Sequence, residues 1–301
     1  MMTVSICCIT FNHEAYIRKC LEGFLIQQTT FDYEILIHDD CSTDNTVAII
    51  KEFQELHPQR FKVIFQKENQ YSKGVRGMVA RFLVPMASGK YIAICEGDDY
   101  WTDPLKLQKQ VDFLEKNENC SMVFTGCKIV KADGETKNIK YSNLNLISPG
   151  NYVLNDYYMA TASLLFKKEV FLSDSEPWMS QSFAGDFVLR YRALSIGLIG
   201  CIEDITCVYH KGVANSWSNR KLTDALIVKE FSDNLRGLYF LYKRGVINST
   251  TVHSKISRLK KSAYFKKALV KGGVSGFLFL LKNWRHTTLH FLGAYGKRML
   301  K

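Results

Sequence analysis

Nowhere in the 301 residues is there a C-x-x-C pair, an uncharged apolar run of the roughly 18 residues that cross a membrane, or a basic leader. Each absence removes a class. The nine cysteines, at positions 7, 8, 20, 41, 95, 120, 127, 201 and 207, are an odd number, and several fall in expected strands. They read as small buried hydrophobes in a reducing compartment, not as disulfides or a zinc site. The apolar start, Met1 to Thr10, meets Asn12, His13 and Glu14 at once and reads as a strand, so the chain is expected in the cytoplasm. No RNP-like run, zinc finger or basic region with heptads is found, which leaves no nucleic-acid partner. A Gly-rich basic loop near the start is also missing, which argues against a nucleotidyltransferase. There is no internal repeat and no low-complexity tract.

Acids are scarce in one place only. From residue 211 onward there are 19 lysines and arginines against Asp224, Glu230 and Asp233, a balance of +16, while residues 1–210 hold 21 against 26, a balance of −5. The formal charge of +11 therefore belongs to the tail. With 47% hydrophobic residues, the chain has material for a full core and one large α/β domain plus an appendage.

The most informative stretch is Tyr91-Ile92-Ala93-Ile94-Cys95, an uncharged strand that runs into Glu96-Gly97-Asp98-Asp99-Tyr100-Trp101. Adjacent carboxylates repel unless a cation or hydrogen-bond donors neutralise them. A hard divalent ion held by one or two carboxylates, its shell completed by water and substrate phosphates, suits Mg²⁺ or Mn²⁺. The alternative for such a run is a polar surface loop whose acids cap the next helix.

Upstream, the pattern predicts strands at Thr3–Thr10, Tyr33–His38, Phe61–Phe65 and Lys90–Cys95. Helices are predicted at Glu14–Gln28, Thr46–Leu56 and Gly77–Ala87. Strands alternating with helices imply a parallel, doubly wound sheet whose right-handed crossovers bring the acid-tipped strand ends to one edge. Beyond it, Pro104 starts a helix ending near Asn117, and Met122–Val130 with the turn Ala132-Asp133-Gly134-Glu135 reads as strand and hairpin. Lys137–Tyr158 reads as irregular, Ala162–Phe166 as a strand, Gly185–Ile196 as a helix, and Leu198–Tyr209 as one or two short strands. Three helices are expected after that, at Leu222–Arg244, Val252–Val270 and Val274–Tyr295.

The strand ends collect Thr10, Asn12, Asp39, Asp40, Asp98 and Asp99. An acid at the first switch point can accept the imide N–H of uracil or a ribose hydroxyl, while the second acid group holds a cation bridging a diphosphate. Turn and cap duty is the competing role for Asp39, Asp44 and Asn12. A phosphoacceptor receiver module would also make an acidic Mg²⁺ pocket, but the chain is too long for one and shows no clear downstream Thr and Lys pair at strand ends.

Three stretches in this order, Ser5-Ile6-Cys7-Cys8-Ile9-Thr10-Phe11-Asn12-His13, Ile37-His38-Asp39-Asp40-Cys41-Ser42-Thr43-Asp44-Asn45-Thr46 and Gly89 to Trp101, resemble the successive motifs of the family 2 glycosyltransferases. The likeness covers about residues 3–218 and is strongest to bacterial members that build capsule, O-antigen or exopolysaccharide units. It implies a GT-A fold, the Rossmann-like fold of nucleotide-diphospho-sugar transferases: a mixed sheet flanked by helices, here with a C-terminal helical extension. The implied domains are a catalytic domain at 1–218, with its nucleotide-sugar half at about 1–101 and its acceptor half at about 102–218, and the basic helical extension at 219–301.

The resemblance also implies an inverting sugar transfer from a nucleotide donor, usually a UDP-sugar, with Mn²⁺ or Mg²⁺. By motif position Thr10 and Asp40 would bind the nucleoside, and Asp98 and Asp99 would be the aspartates of the metal motif, Asp99 the direct ligand. The motif's usual third acid is Gly97 here, displaced by Glu96. Asp186, in Ser182-Phe183-Ala184-Gly185-Asp186, matches the family's base at a helix start; an ordinary N-terminal helix acid is the alternative. Residues 209–218 occupy the place of the closing loop, where His210 or Lys211 could assist the phosphates, as could Arg76 and Arg81. The expected acceptor is a glycan or lipid-linked saccharide. The apolar stripe of the last helix and its lysines either bind the anionic inner face of the membrane peripherally or pack on the catalytic domain. A catalytically lapsed subunit that binds nucleotide or polysaccharide is the alternative to an enzyme, and the presence together of Asp40, Asp98, Asp99 and Asp186 argues against it.

Overall fold

The computed structural model describes residues 2–155, 157–173, 176–182, 184–213 and 223–261. Two compact units make up the chain: Met1–Ser148 with Tyr157–Asp174 and Arg192–Arg220, and Pro149–Asp156 with Ser175–Tyr191 and Lys221–Lys301. The first holds a single ten-stranded sheet.

At the centre of its N-terminal half lies β1 (Val4–Thr10), paired in parallel with β2 (Tyr33–Asp39) on one side and β4 (Tyr91–Glu96) on the other; β3 (Phe61–Phe65) lies outside β2. These strands lack the in-out alternation of a half-exposed sheet because helices cover both faces, and β2 is buried at all seven positions. Helices α1 (Ile17–Leu25) and α2 (Thr46–Leu56) connect the first three strands. Ile17, Cys20, Leu21 and Phe24 of α1 enter the same core as Ile6, Cys8, Ile35, Ile37, Ala93 and Cys95. Of the nine unpaired cysteines, eight are buried and Cys41 is partly exposed, so they do serve as small apolar packing groups.

Beyond β4 the direction changes. β9 (Leu164–Lys167) pairs antiparallel with both β4 and β6 (Cys120–Lys131), β10 (Leu198–Lys211) runs parallel to β6, and the two-residue β5 (Tyr100–Trp101) pairs antiparallel with β10. The sheet is therefore mixed, and parallel winding holds only for β1 to β4. Strand β9 enters the middle of the sheet from a long excursion, so its direction is set by its two neighbours and not by a local crossover. β7 (Thr136–Ile139) makes the expected hairpin with β6.

Several segments depart from the sequence expectation. Gly77–Ala87 is not an α-helix but a π-turn at Val79–Leu83 followed by a 3₁₀ turn at Val84–Met86. Pro85 has no N–H to continue an α-helical ladder, and Gly77 enters with φ +67°. The stretch 137–158 is not irregular throughout, since it contains part of β7, all of β8 (Leu146–Ile147) and α4 (Pro149–Leu154). Leu198–Lys211 is one strand, interrupted by register shifts between Ile202 and Ile205 and between Ile205 and Cys207. The bulge places Glu203 and Asp204 in solvent, which breaks the apolar pattern without ending the strand. In the second unit α7 (Asp224–Lys243) and α8 (Ser249–Lys261) stand where helices are expected, with Thr223 Oγ1 accepting from Leu226 N (3.2 Å) at the start of α7. The rest of the second tail helix and all of the third, at 274–295, lie outside the described residues.

After β5 comes α3 (Lys106–Lys116), whose first residue is a fully buried lysine. Lys106 Nζ donates to Gln110 Oε1 (2.6 Å) and lies 4.3 Å from the centroid of the Trp101 ring. Gln110 Nε2 donates to Ser163 O (2.8 Å) and Trp101 Nε1 to Ala162 O (2.9 Å), tying α3 and β5 to the turn preceding β9. Burial pushes the Lys106 ammonium from its ordinary 10.5 down to about 8. The folded state thus sheds this proton at lower pH than the unfolded chain, so the group adds stability as pH rises from about 8 towards 10.5. Urea unfolding should accordingly find that Lys106→Met destabilises more at pH 9.5 than at pH 7.5, by about 1–2 kcal/mol. A difference that stays constant with pH would show that this lysine is not desolvated.

Candidate active site

Two acidic loops hang from consecutive carbonyls at the end of β1. Asp40 N donates to Thr10 O (3.0 Å) and Gly97 N to Ile9 O (2.9 Å), so the pairing of β2 and β4 with β1 is what brings the acids together. Thr10 is buried, and its Oγ1 lies 3.2 Å from His13 Nδ1. Asn12 has φ +54° and Cys41 φ +69°; asparagine tolerates that region, whereas at Cys41 it costs about 1 kcal/mol or more.

Much of the first acidic group is spent on holding this turn. Asp39 accepts from Ser42 N (3.0 Å) and from Ser42 Oγ, and Ser42 Oγ in turn accepts from Asn12 N (2.9 Å). Asn12 Oδ1 accepts from Thr43 N (2.8 Å), and Asp44 accepts from Thr46 N (2.9 Å) and Glu14 N (3.1 Å). Turn duty thus describes Asp39, Asp44 and Asn12. Asp40 is different: its two carboxylate oxygens accept from Gln70 N (2.7 Å) and Tyr71 N (3.0 Å) and buckle the loop after β3 onto the site. Each of these oxygens has a second lone pair to offer a nucleoside. Arg76 is committed within that loop, donating to Tyr71 O (2.9 Å) and Val75 O (2.8 Å), while Arg81 is exposed on the π-turn.

The second acidic group crowds three carboxylates together. One oxygen each of Glu96, Asp98 and Asp99 lies within 4.8 Å of the others. Asp98 and Asp99 are 4% and 1% exposed, and Asp98 Oδ1 and Asp99 Oδ2 are buried with no hydrogen-bond partner. Burial first, and then the Asp98 and Glu96 charges, push the Asp99 carboxyl well above the usual carboxylate range. Two orphaned buried oxygens in a three-carboxylate cluster fit a hard divalent cation, which would satisfy both atoms and remove the repulsion.

Gly97 explains why the motif has no acid at its own position. A Cβ there would lie 2.7 Å from Thr10 Oγ1, 2.9 Å from Thr10 Cβ and 3.0 Å from His13 Nδ1, so any side chain would separate the loop from β1. Across the loop, His210 donates from its backbone N to Asp99 Oδ1 (2.8 Å), and its Nδ1 is 2.6 Å from Asp98 O. Of the rest of the expected closing loop, residues 214–218 lie outside the described residues.

Asp186 opens α6 (Gly185–Ile196) in the second unit, partly exposed, and pairs with Arg190 Nη2 at 2.9 Å. Of the site residues, His13 was given no role from the sequence, whereas Glu96 was already read there as displacing the third acid of the metal motif. Glu96 stands in the carboxylate cluster itself, and its place at the last position of the strand carried the signal. His13 is buried against Thr10, with its N donating to Thr46 Oγ1 (2.8 Å), and burial drives its imidazole below the ordinary range. Only its position directly after Asn12 hinted at this.

Residues 5–185 match the family Glycosyl transferase family 2. The uncharacterized protein Rv1520 of Mycobacterium tuberculosis is 33% identical over 218 residues, 71% of this chain and 60% of that protein. The chain therefore spans less than two thirds of that relative's length. The putative teichuronic acid biosynthesis glycosyltransferase TuaG of Bacillus subtilis is 30% identical over 131 residues, 44% of this chain and 49% of its own. Among solved structures, S. aureus TarS 1–349 in complex with UDP-GlcNAc superposes with a TM-score of 0.66, covering 97% of this chain and 81% of that one at 16% identity. At that identity the likeness speaks for the fold, which is GT-A.

The Gly97 contacts lead to a direct test. Gly97→Ala should cost about 1–3 kcal/mol in urea unfolding, the range for a methyl forced into packed surroundings, and should weaken Mn²⁺ binding by the separated loop. Unchanged stability and unchanged metal affinity together would mean that the loop does not depend on its contact with Thr10.

Proposed function

The chain belongs to glycosyl transferase family 2, and we propose that it is a glycosyltransferase that moves a sugar from a UDP-sugar to a saccharide or lipid-linked acceptor in one inverting displacement. The observation that carries this reading is the pair of orphaned carboxylate oxygens, Asp98 Oδ1 and Asp99 Oδ2, in the loop whose Gly97 packs against Thr10 at the end of β1. A pocket that buries negative charge without partners is matched to a ligand that brings a cation and phosphates with it.

Asp98 and Asp99, with Glu96 beside them, would hold Mn²⁺ or Mg²⁺. When bound, the ion supplies charge stabilisation to the departing diphosphate. Asp40 and Thr10 would receive the nucleoside, with Asn12 and Asp39 holding the turn that presents Asp40. The acceptor oxygen would form its bond to the anomeric carbon as the bond from that carbon to the diphosphate oxygen breaks. The acceptor's proton would pass to Asp186, whose carboxylate Arg190 holds in place. No second catalytic carboxylate is required, unlike a hydrolase pair. Arg81 is kept as a candidate phosphate partner because it is exposed and uncommitted to its own loop.

A place in surface polysaccharide assembly rests on the relatives, TuaG among them. A cytoplasmic enzyme with a basic face towards the inner membrane would fit a lipid-linked acceptor. Lys255 and Arg258 of α8 supply part of that charge, and no helix among the described residues is long and apolar enough to cross a membrane.

The decisive experiment is binding and turnover of a panel of nucleotide sugars with Mn²⁺, comparing the native chain with Asp99→Ala and Asp186→Asn. One UDP-sugar should bind in a metal-dependent way, and Asp99→Ala should abolish that binding. Asp186→Asn should keep affinity while lowering kcat by about 10²–10⁴-fold, the usual weight of a general base. If no nucleotide sugar binds with or without metal, the donor-site reading is wrong and a catalytically lapsed subunit takes its place.

A further inference from the structure

The sequence suggests His210 as a contact for the diphosphate, yet its polar contacts run to the metal loop itself. His210 is the penultimate residue of β10, and it sits where that strand leaves its pairing with β5, Val208 opposite Tyr100. Its backbone N–H donates to Asp99 Oδ1 (2.8 Å). The imidazole Nδ1 lies 2.6 Å from the carbonyl oxygen of Asp98. A carbonyl oxygen can only accept, so Nδ1 carries the proton and donates. The ring cannot easily turn away from this contact, since Tyr16 lies 5.1 Å from it and Tyr100 5.6 Å, centroid to centroid.

These two hydrogen bonds fix what the metal motif can present. One oxygen of Asp99 is held by the His210 backbone, and the other, Oδ2, is left buried and unpartnered. The Asp98 carbonyl, pinned by Nδ1, sets the peptide plane from which the two carboxylates diverge. On its other side the same loop is held by Gly97 N on Ile9 O. The loop is therefore clasped from β1 and from β10, and the side chain of His210 is the removable part of the second clasp.

We infer that His210 is a positioning residue for the cation site: through Nδ1 it holds the Asp98–Asp99 peptide so that Asp98 Oδ1 and Asp99 Oδ2 face one ion, and it does not bind the diphosphate through Nε2. This rests on the reading of Glu96, Asp98 and Asp99 as a divalent-cation site. Residues behind metal ligands commonly change metal affinity by about 10–100-fold when they are lost.

Two amides separate the roles of the ring nitrogens. The Asn side-chain nitrogen stands the same number of bonds from the backbone as Nδ1, and the Gln nitrogen stands close to the place of Nε2. Mn²⁺ alone, without nucleotide, would be titrated into the full chain and into His210→Asn, His210→Gln and His210→Ala, with thermal melting recorded for each. His210→Asn should stay within about three-fold of the native affinity, and His210→Gln and His210→Ala should both fall by about 10–100-fold at nearly unchanged melting temperature. The inference is overturned if Gln matches the native chain while Asn falls with Ala, or if all three bind Mn²⁺ as the native chain does. A native chain that binds no Mn²⁺ would remove the cation site itself and this inference with it. Loss confined to the His210 variants in the wrong order removes the inference alone.

Discussion

Three clustered carboxylates, two of them buried, cannot all stay charged without help, and the geometry of the loop that carries them follows from that constraint. Asp99 is 1% exposed, and two oxygens of the group have no protein partner. At an effective dielectric of about 20, two unit charges about 4 Å apart repel by about 4 kcal/mol. A fold that keeps such a cluster must hold it by force, and this one does so from both sides. The β1 carbonyls and the missing side chain at Gly97 secure one flank, and His210 secures the other.

The first acidic group solves a different problem. Asp39, Asp44 and Asn12 satisfy backbone N–H groups of a turn that carries Cys41 at positive φ, and they leave Asp40 buried but turned towards the loop at Gln70 and Tyr71. Three aspartates within six positions, together with the distant Asn12, thus divide into three residues that shape the turn and one that the turn presents. The same side-chain chemistry, an oxygen accepting from N–H, serves both purposes, which is why residue type alone does not separate them.

Directly after the second acidic loop the chain is tied down by buried hydrogen bonds. Lys106, Gln110 and Trp101 link α3 and β5 to the carbonyls of Ala162 and Ser163, so the residues that follow the metal loop are joined to the turn that introduces β9. A buried lysine is a costly fastener, and its position one short strand beyond the acids suits a site where small displacements alter cation geometry.

Local pattern was enough for most of residues 1–101, the helix expected at Gly77–Ala87 excepted. Strand β3 and helices α2 and α6, the last of these beyond that stretch, begin and end where the sequence places them, and an uncharged strand running into Glu96-Gly97-Asp98-Asp99 already marked the carboxylate cluster. Three ordered motifs were also enough to identify the family. What the sequence by itself determined is what short-range physics decides: apolar strands, helices with one apolar face, a turn rich in Asp and Asn, and acids at a strand end. Tertiary structure decided the rest, because those features depend on partners distant in the chain. β9 runs antiparallel since it is squeezed between β4 and β6, and β10 is one strand since β6 supports it across a bulge. His210 reaches Asp99 across 111 positions of sequence. No local pattern records a contact of that span; it exists only once the sheet has set β5 beside β10.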